Sequence, residues 1–220
     1  MNRIIIIGAS GHAKVVIDSV EKRGEAEIVG VVDRACRIGA KVLGYPVLGE
    51  DADLPGLIQR HAVQGLVAAI GDNARRAEMV ERIRNLCPGM PFPAVIHPHA
   101  CIGAGTVIGA GTVVMAGAVI GPDCRIGEFC LINHLASLDH DSVMEGFSSL
   151  APRVATGGNC RIGAYAALGI GAVLRHGIQV GEHAVLGGGA LALDPVEAYA
   201  VSYGVPAKKI RERKLGDSYL

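Results

Sequence analysis

One stretch of the 220-residue chain concentrates groups able to move protons: Asn133-His134 and, six residues on, Asp139-His140-Asp141. Histidine titrates nearest neutrality. A carboxylate beside it fixes one ring tautomer and raises the basicity of the other nitrogen. His140, with an acid on each side, reads as a general base oriented by Asp141. His134 lacks that company and reads first as a surface residue. A second motif, Gly8-Ala9-Ser10-Gly11-His12, follows four isoleucines, and Asp33 ends the next apolar run. A turn opening a helix presents backbone N–H groups that favour a phosphate. It is not the dinucleotide fingerprint, because Ser10 replaces the second glycine and the third is absent.

The element that must position His140 is a repeat. Stepping by six from Ile96 to Ala192 visits 17 residues, of which 15 are Ile, Leu, Val or Met. The residue two places earlier is usually small, as in Ala118, Cys124, Cys130 and Ala136. The residue one place later is often glycine, as in Gly103, Gly109, Gly121 and Gly127. Neither a helix nor an amphipathic strand has that period. A short strand and a sharp turn, repeated around a coil, does: a parallel β-helix. The glycines are expected at corners, where backbone angles costly to other residues are needed. Between Leu131 and Asp141 those glycines give way to Asn133 and Asp139, with Glu145 next in the series. The histidines, two places past a core position, should point outward.

Ahead of the repeat, residues 3–7 read as a buried parallel strand and residues 13–21 as a helix. Residues 27–32 and 65–70 read as further strands. Gly71-Asp72-Asn73 leads into a charged helix ending near Leu86. This is a small α/β domain with a parallel sheet. Pro88, Pro91, Pro93 and Pro98 mark the passage into the repeat. The expected boundaries are 1–92, 93–210 and a solvated tail, 211–220.

Formal net charge is +0, and charge is sparse in the repeat. Nucleic acid and anionic membranes are poor partner classes, and a surface so bare is expected to self-associate. Residues 100–122 lack charge and are long enough to span a bilayer, but their glycines and six-residue register argue for the repeat. No export signal is read. The six cysteines form no CxxC pair, and Cys124, Cys130 and Cys160 occupy the small inward slot. A reduced, cytoplasmic protein is expected.

The Gly8–His12 loop, Gly71-Asp72-Asn73, the hexapeptides and a closing Gly204-Val205-Pro206-Ala207-Lys208 together resemble one family over nearly the whole chain. It is that of the bacterial nucleotide-sugar acetyltransferases, of the bacillosamine, perosamine and sialic-acid O-acetyl types. The resemblance implies a left-handed coil of eighteen residues, acetyl-CoA as co-substrate, no metal, and a homotrimer with sites between subunits. It implies that Gly8, Ala9, Ser10, Gly11 and His12 meet the phosphates or ribose of a nucleotide-linked sugar. Asp33 would contact base or ribose, and Asn73 would line the pocket. His140 would be the base, with Asp141 and Asn133 beside it. Gly158, stacked in one column with His140 and His176, would offer its N–H to the oxyanion. Ser149 stands where many relatives carry a second histidine at the acetyl-CoA end. Ile170 and Gly188 would line the acetyl-CoA groove, and Pro206 and Lys208 its far end. The implied reaction is N-acetylation of a 4-amino-4,6-dideoxy sugar. O-acetylation of a sialic acid is the alternative. A zinc site of His134, His140 and His176, or a non-catalytic solenoid binding nucleotide-sugars, are the rival classes.

Overall fold

The computed structural model describes residues 2–214, 216 and 217. The four isoleucines of β1 (Asn2–Ile7) are all buried, which requires cover on both faces and a strand on each side. Strand β2 (Ala26–Val32) and the strand Gly65–Ala68 flank β1, both parallel to it. Helices α1 (Gly11–Arg23), α2 (Leu54–His61) and α3 (Asn73–Leu86) complete the domain. Residues 41–61 carry no clear period, yet they form a hairpin, Lys41–Val42 with Tyr45–Gly49, and then α2. The hairpin lies at the sheet edge, where a strand of two residues and one containing Pro46 leave little pattern.

The repeat forms 17 two-residue strands, from Val95–Ile96 to Leu191–Ala192, and each ends on the residue picked out by the six-step register. Each pairs in parallel with the strand one coil away, as Leu131 does with Ser149 and Arg125 with Val143. Three sheets result, the faces of a prism. The first holds the strands at Val113, Leu131, Ser149, Ala167 and Val185. The second holds those at Val119, Ser137, Ala155 and Val173, and the third those at Arg125, Val143 and Arg161. Ile120, Ile126, Ile132 and Leu138 fill the bore with Ala118, Cys124, Cys130 and Ala136. Each buried aliphatic of this size contributes about 1.5–3 kcal/mol.

The glycines have a different reason from the one expected. Gly103 has an ordinary backbone; a Cβ on it would lie 2.4 Å from the Gly121 carbonyl carbon of the next coil. Close approach of successive coils excludes a side chain there. The left-handed φ falls two residues later. Glycine holds that place in some coils, such as Gly105 and Gly117, but Asp123, Phe129, Leu135, Asp141, Phe147 and Tyr165 adopt φ of 53–60°. At one corner these residues are aromatic and stack: Phe129 on Phe147 at 5.2 Å, Phe147 on Tyr165 at 5.4 Å, Tyr165 on His183 at 4.5 Å. Stacking offsets part of the cost of the backbone conformation.

Helix α3 docks against that corner. Arg76 is fully buried and donates from Nε to the Phe129 carbonyl (2.9 Å) and from Nη2 to the Phe147 carbonyl (3.1 Å). Helix α1 packs nearby, so that Ala13, Val16 and Ile17 share a core with Val95, Val113 and Leu131 of the first face. The C-terminal end departs from a solvated tail at residue 211. Lys208–Glu212 forms a strand antiparallel to Ala200–Tyr203, and Arg213 is buried, donating to the His183 carbonyl. No helix among the described residues is long and apolar enough to cross a membrane.

Candidate active site

His140 lies at the corner between the second and third faces, just after the strand Ser137–Leu138. Asp139 accepts its backbone N–H at 2.8 Å through Oδ1, which fixes the turn. Asp141, in the left-handed conformation, brings Oδ2 to 2.7 Å from Nδ1. That carboxylate accepts a hydrogen bond from Nδ1–H and leaves the Nε2 lone pair free. The same bond, with lesser help from the charge of Asp139, raises the His140 pKa above the usual imidazole value. His140 is half exposed.

One coil on, Gly158 is buried beneath this ring: a Cβ there would stand 2.5 Å from Nε2. Its N–H has no acceptor among the described residues, while its carbonyl accepts from Gly177 at 2.9 Å. His176 completes the column, its ring centroid 6.2 Å from that of His140. The structure thus brings together His140, Asp141, Gly158 and His176. His134 stands at another corner, between the first and second faces, so it does not converge with His140 and His176. Its Nδ1 donates to Asn133 Oδ1 at 2.9 Å, and its backbone N–H reaches the same oxygen at 2.8 Å. Asn133 therefore holds His134, not His140.

A groove of about 480 Å³ opens along the first face and its edge with the second. Asn133, Ser149, Ile170 and Gly188 all line it, and His12 and Gly71 close it from the N-terminal domain. Alanine and glycine at 151, 169 and 187 leave the edge hollow, and Tyr203 lies over Gly187. Tyr203 is a groove residue that the hexapeptide pattern, ending at Ala192, does not mark.

Residues 3–83 match the family profile described as PglD N-terminal domain, and residues 99–134 that of bacterial transferase hexapeptide (six repeats). Among solved structures, a mutant of perosamine N-acetyltransferase from Caulobacter crescentus, in complex with CoA and GDP-perosamine, is 34% identical, and so is PerB from the same organism in complex with the same two molecules. Each match covers 96% of this chain and 98% of that one, with a TM-score of 0.89. This chain belongs to the hexapeptide-repeat sugar N-acetyltransferases. The acetyltransferase domain of PglB from Neisseria gonorrhoeae, in complex with acetyl coenzyme A, is 31% identical over 96% of this chain and 100% of its own, TM-score 0.87. WeeI from Acinetobacter baumannii is 25% identical over 96% and 100%, TM-score 0.86. No curated protein gives a significant match.

In this acetyltransferase the N-terminal loop is built tightly. Gly8 has φ +109°, and a Cβ there would meet the Ala69 carbonyl oxygen at 2.8 Å. Asp33 spends both oxygens on the loops: Oδ2 accepts from Ala9 N–H and Oδ1 from Ala35 N–H, each at 2.7 Å. Ser10 and Gly11 are exposed, while the His12 ring turns inward. Asn73 does not face a pocket. It is 1% exposed, and its amide donates to Ser149 Oγ (3.2 Å) and the Ala166 carbonyl (3.1 Å), while Oδ1 accepts from Arg76 at 2.7 Å. It fastens the two domains together. At the far end, Lys209 pairs with Glu197 and Glu212, and Arg211 with Asp217. Lys208 is exposed and has no ion pair among the described residues. Pro206 follows a cis peptide bond after Val205 and stays outside the groove.

Proposed function

We propose that the enzyme transfers the acetyl group of acetyl-CoA to the 4-amino group of a nucleotide-linked 4-amino-4,6-dideoxy sugar, with His140 as general base. The observation that carries this reading is a His140 ring held through Nδ1 by Asp141, with Nε2 free and Gly158 of the next coil packed against it. An amine nitrogen attacks the thioester carbon, and His140 Nε2 accepts a proton from that nitrogen as the bond forms. Gly158 N–H donates to the developing oxyanion. When the intermediate collapses the C–S bond breaks, and the proton held by His140 passes to the departing thiolate. The products are the acetamido sugar and CoA.

The base and the groove lie on different edges of one prism. His140 and Asn133 belong to the same coil, so they stand at the same height. Lateral association of copies would bring the His140 edge of one against the groove edge of the next. The apolar residues Val119 and Val173, exposed on the second face between those edges, fit such a contact. This supports a homotrimer with three shared sites. In it the upper groove, at Ser149, Ile170 and Gly188, takes acetyl-CoA, with Pro206 and Lys208 toward its phosphate end. The loop from Gly8 to His12, with Asp33 behind it, takes the nucleotide-sugar.

The test is release of free CoA thiol from acetyl-CoA with GDP-, UDP- and dTDP-linked 4-amino-4,6-dideoxy sugars, wild type beside His140→Ala. Turnover with one of these acceptors, reduced about 10²-fold or more in the variant, is expected. Unchanged turnover in His140→Ala would remove His140 from its role. Acetylation of hydroxyl acceptors alone would overturn the N-acetyl assignment.

A further inference from the structure

His176 stands on the same edge of the prism as His140, two coils nearer the C-terminal end, a backbone separation of about 9.6 Å. Yet the two ring centroids are only 6.2 Å apart. The side chains therefore lean toward one another across the intervening coil, and that coil is bare where they meet. A Cβ on Gly157 would lie 3.2 Å from the His176 Cβ, and one on Gly158 would lie 2.5 Å from His140 Nε2. Two imidazoles thus bracket the Gly158 N–H. They are held differently. His140 is tied through Nδ1 to Asp141. The His176 side chain is exposed and makes no hydrogen bond among the described residues, so both of its ring nitrogens are open. A neutral imidazole in that condition can accept a proton at one nitrogen while giving up the proton on the other.

Height along the prism sets what each ring meets. His140 shares a coil with Asn133, at the end of the groove that the N-terminal domain closes. His176 shares one with Ile170, toward the end proposed for acetyl-CoA. In the proposed trimer, a thioester with its oxygen at Gly158 has the attacking nitrogen on the His140 side and its sulfur on the His176 side. We infer that His176 is a further catalytic residue, which delivers the proton to the departing sulfur. The N–C bond forms and His140 Nε2 takes the amine proton. As the C–S bond breaks, His176 gives its ring N–H proton to the thiolate. Its other nitrogen receives the proton held by His140, across a gap that one water bridges. The thiol leaves neutral, His140 is neutral again, and His176 ends as its other tautomer, which exchange with solvent resets. This rests on the function proposed above and adds one residue to its chemistry.

The experiment compares His176→Ala, His176→Gln and His140→Ala with wild type, measuring kcat, KM for acetyl-CoA and KM for the active nucleotide-sugar, with and without added imidazole. His176→Ala should lower kcat about tenfold, less than the 10²-fold expected of His140→Ala, because a thiolate leaves more readily than an amine is deprotonated. Both KM values should stay within about twofold. Glutamine cannot pass a proton through its amide, so His176→Gln should remain as slow as His176→Ala, whereas imidazole should restore part of the rate to His176→Ala. An unchanged kcat in His176→Ala beside a crippled His140→Ala would overturn the inference alone. So would recovery in His176→Gln, which would reduce His176 to a polar contact, a loss that imidazole leaves untouched, or a raised KM for acetyl-CoA at full kcat. A wild type active on none of the nucleotide-sugars, or a His140→Ala variant as fast as wild type, would sink the proposed function and the inference together. Thermal melting checks the fold of both His176 variants, and His176→Gln carries the test if His176→Ala does not fold.

Discussion

The imidazole of His140 rests on Gly158, with room between them for a hydrogen but not for a methyl group. Gly158→Ala should therefore push the ring away and crowd the N–H proposed to donate to the oxyanion. The position has no left-handed φ, so alanine is tolerable to the backbone. The turnover number should fall about 10²-fold, the range seen when an oxyanion donor is disabled, with the melting temperature nearly unchanged. Steady-state rates and a circular-dichroism melt check both.

The pH profile should carry the mark of Asp141. A general base works deprotonated, so kcat/KM falls as pH drops through its pKa. Because the bond to Asp141 raises that pKa, the acid limb should lie above the ordinary imidazole value of 6.5. Asp141→Asn should move the limb to lower pH and also reduce the plateau about tenfold. An acid limb that stays in place in Asp141→Asn would mean that another group titrates.

Asn73 tests domain docking against substrate contact. Asn73→Ala leaves the Ser149 hydroxyl, the Ala166 carbonyl and an Arg76 donor short of a partner. A destabilisation of about 1–3 kcal/mol is expected in denaturant unfolding. KM for the nucleotide-sugar should change less than threefold. A large KM effect without loss of stability would return Asn73 to the pocket.

Lys208 is an exposed cation at the far end with no acidic partner among the described residues. Lys208→Ala should raise KM for acetyl-CoA a few-fold at low salt, and the difference should shrink as salt screens the charge. With acetyl-3′-dephospho-CoA the variant and wild type should behave alike. Equal KM values with acetyl-CoA would place the phosphate elsewhere.

The coil and the His140–Asp141 pair were legible because both are written locally. A six-residue register names every rung from Ile96 to Ala192, and an acid beside His140 needs only its neighbour to act. What stayed hidden depends on distant contacts. Asn73 sits in a Gly-Asp-Asn turn that suggests a ligand, but its partners, Ser149 and Ala166, are supplied by another domain. Asn133 lies close to His140 in sequence, yet its Oδ1 is engaged by His134. The left-handed corner was misplaced by two residues because glycine serves two purposes in each hexapeptide. At Gly103 it clears the next coil, and at Gly105 it eases the turn. Tyr203 and the buried Arg213 lie past the last hexapeptide, where no period remains to read.

The contacts of Arg76 and Asn73 with residues 129, 147, 149 and 166 bind the N-terminal domain to the coils on either side of His140. The chain is thereby divided into a part whose length is constrained and a part whose length is free. One coil added or lost between Phe129 and Ala166 would keep every corner in phase, yet would shift His140 by about 4.8 Å against the domain proposed to hold the substrate. Coils added beyond Gly188 would move neither. Lineages of this enzyme should therefore vary in length at the C-terminal end of the prism and keep the docked segment at a constant count.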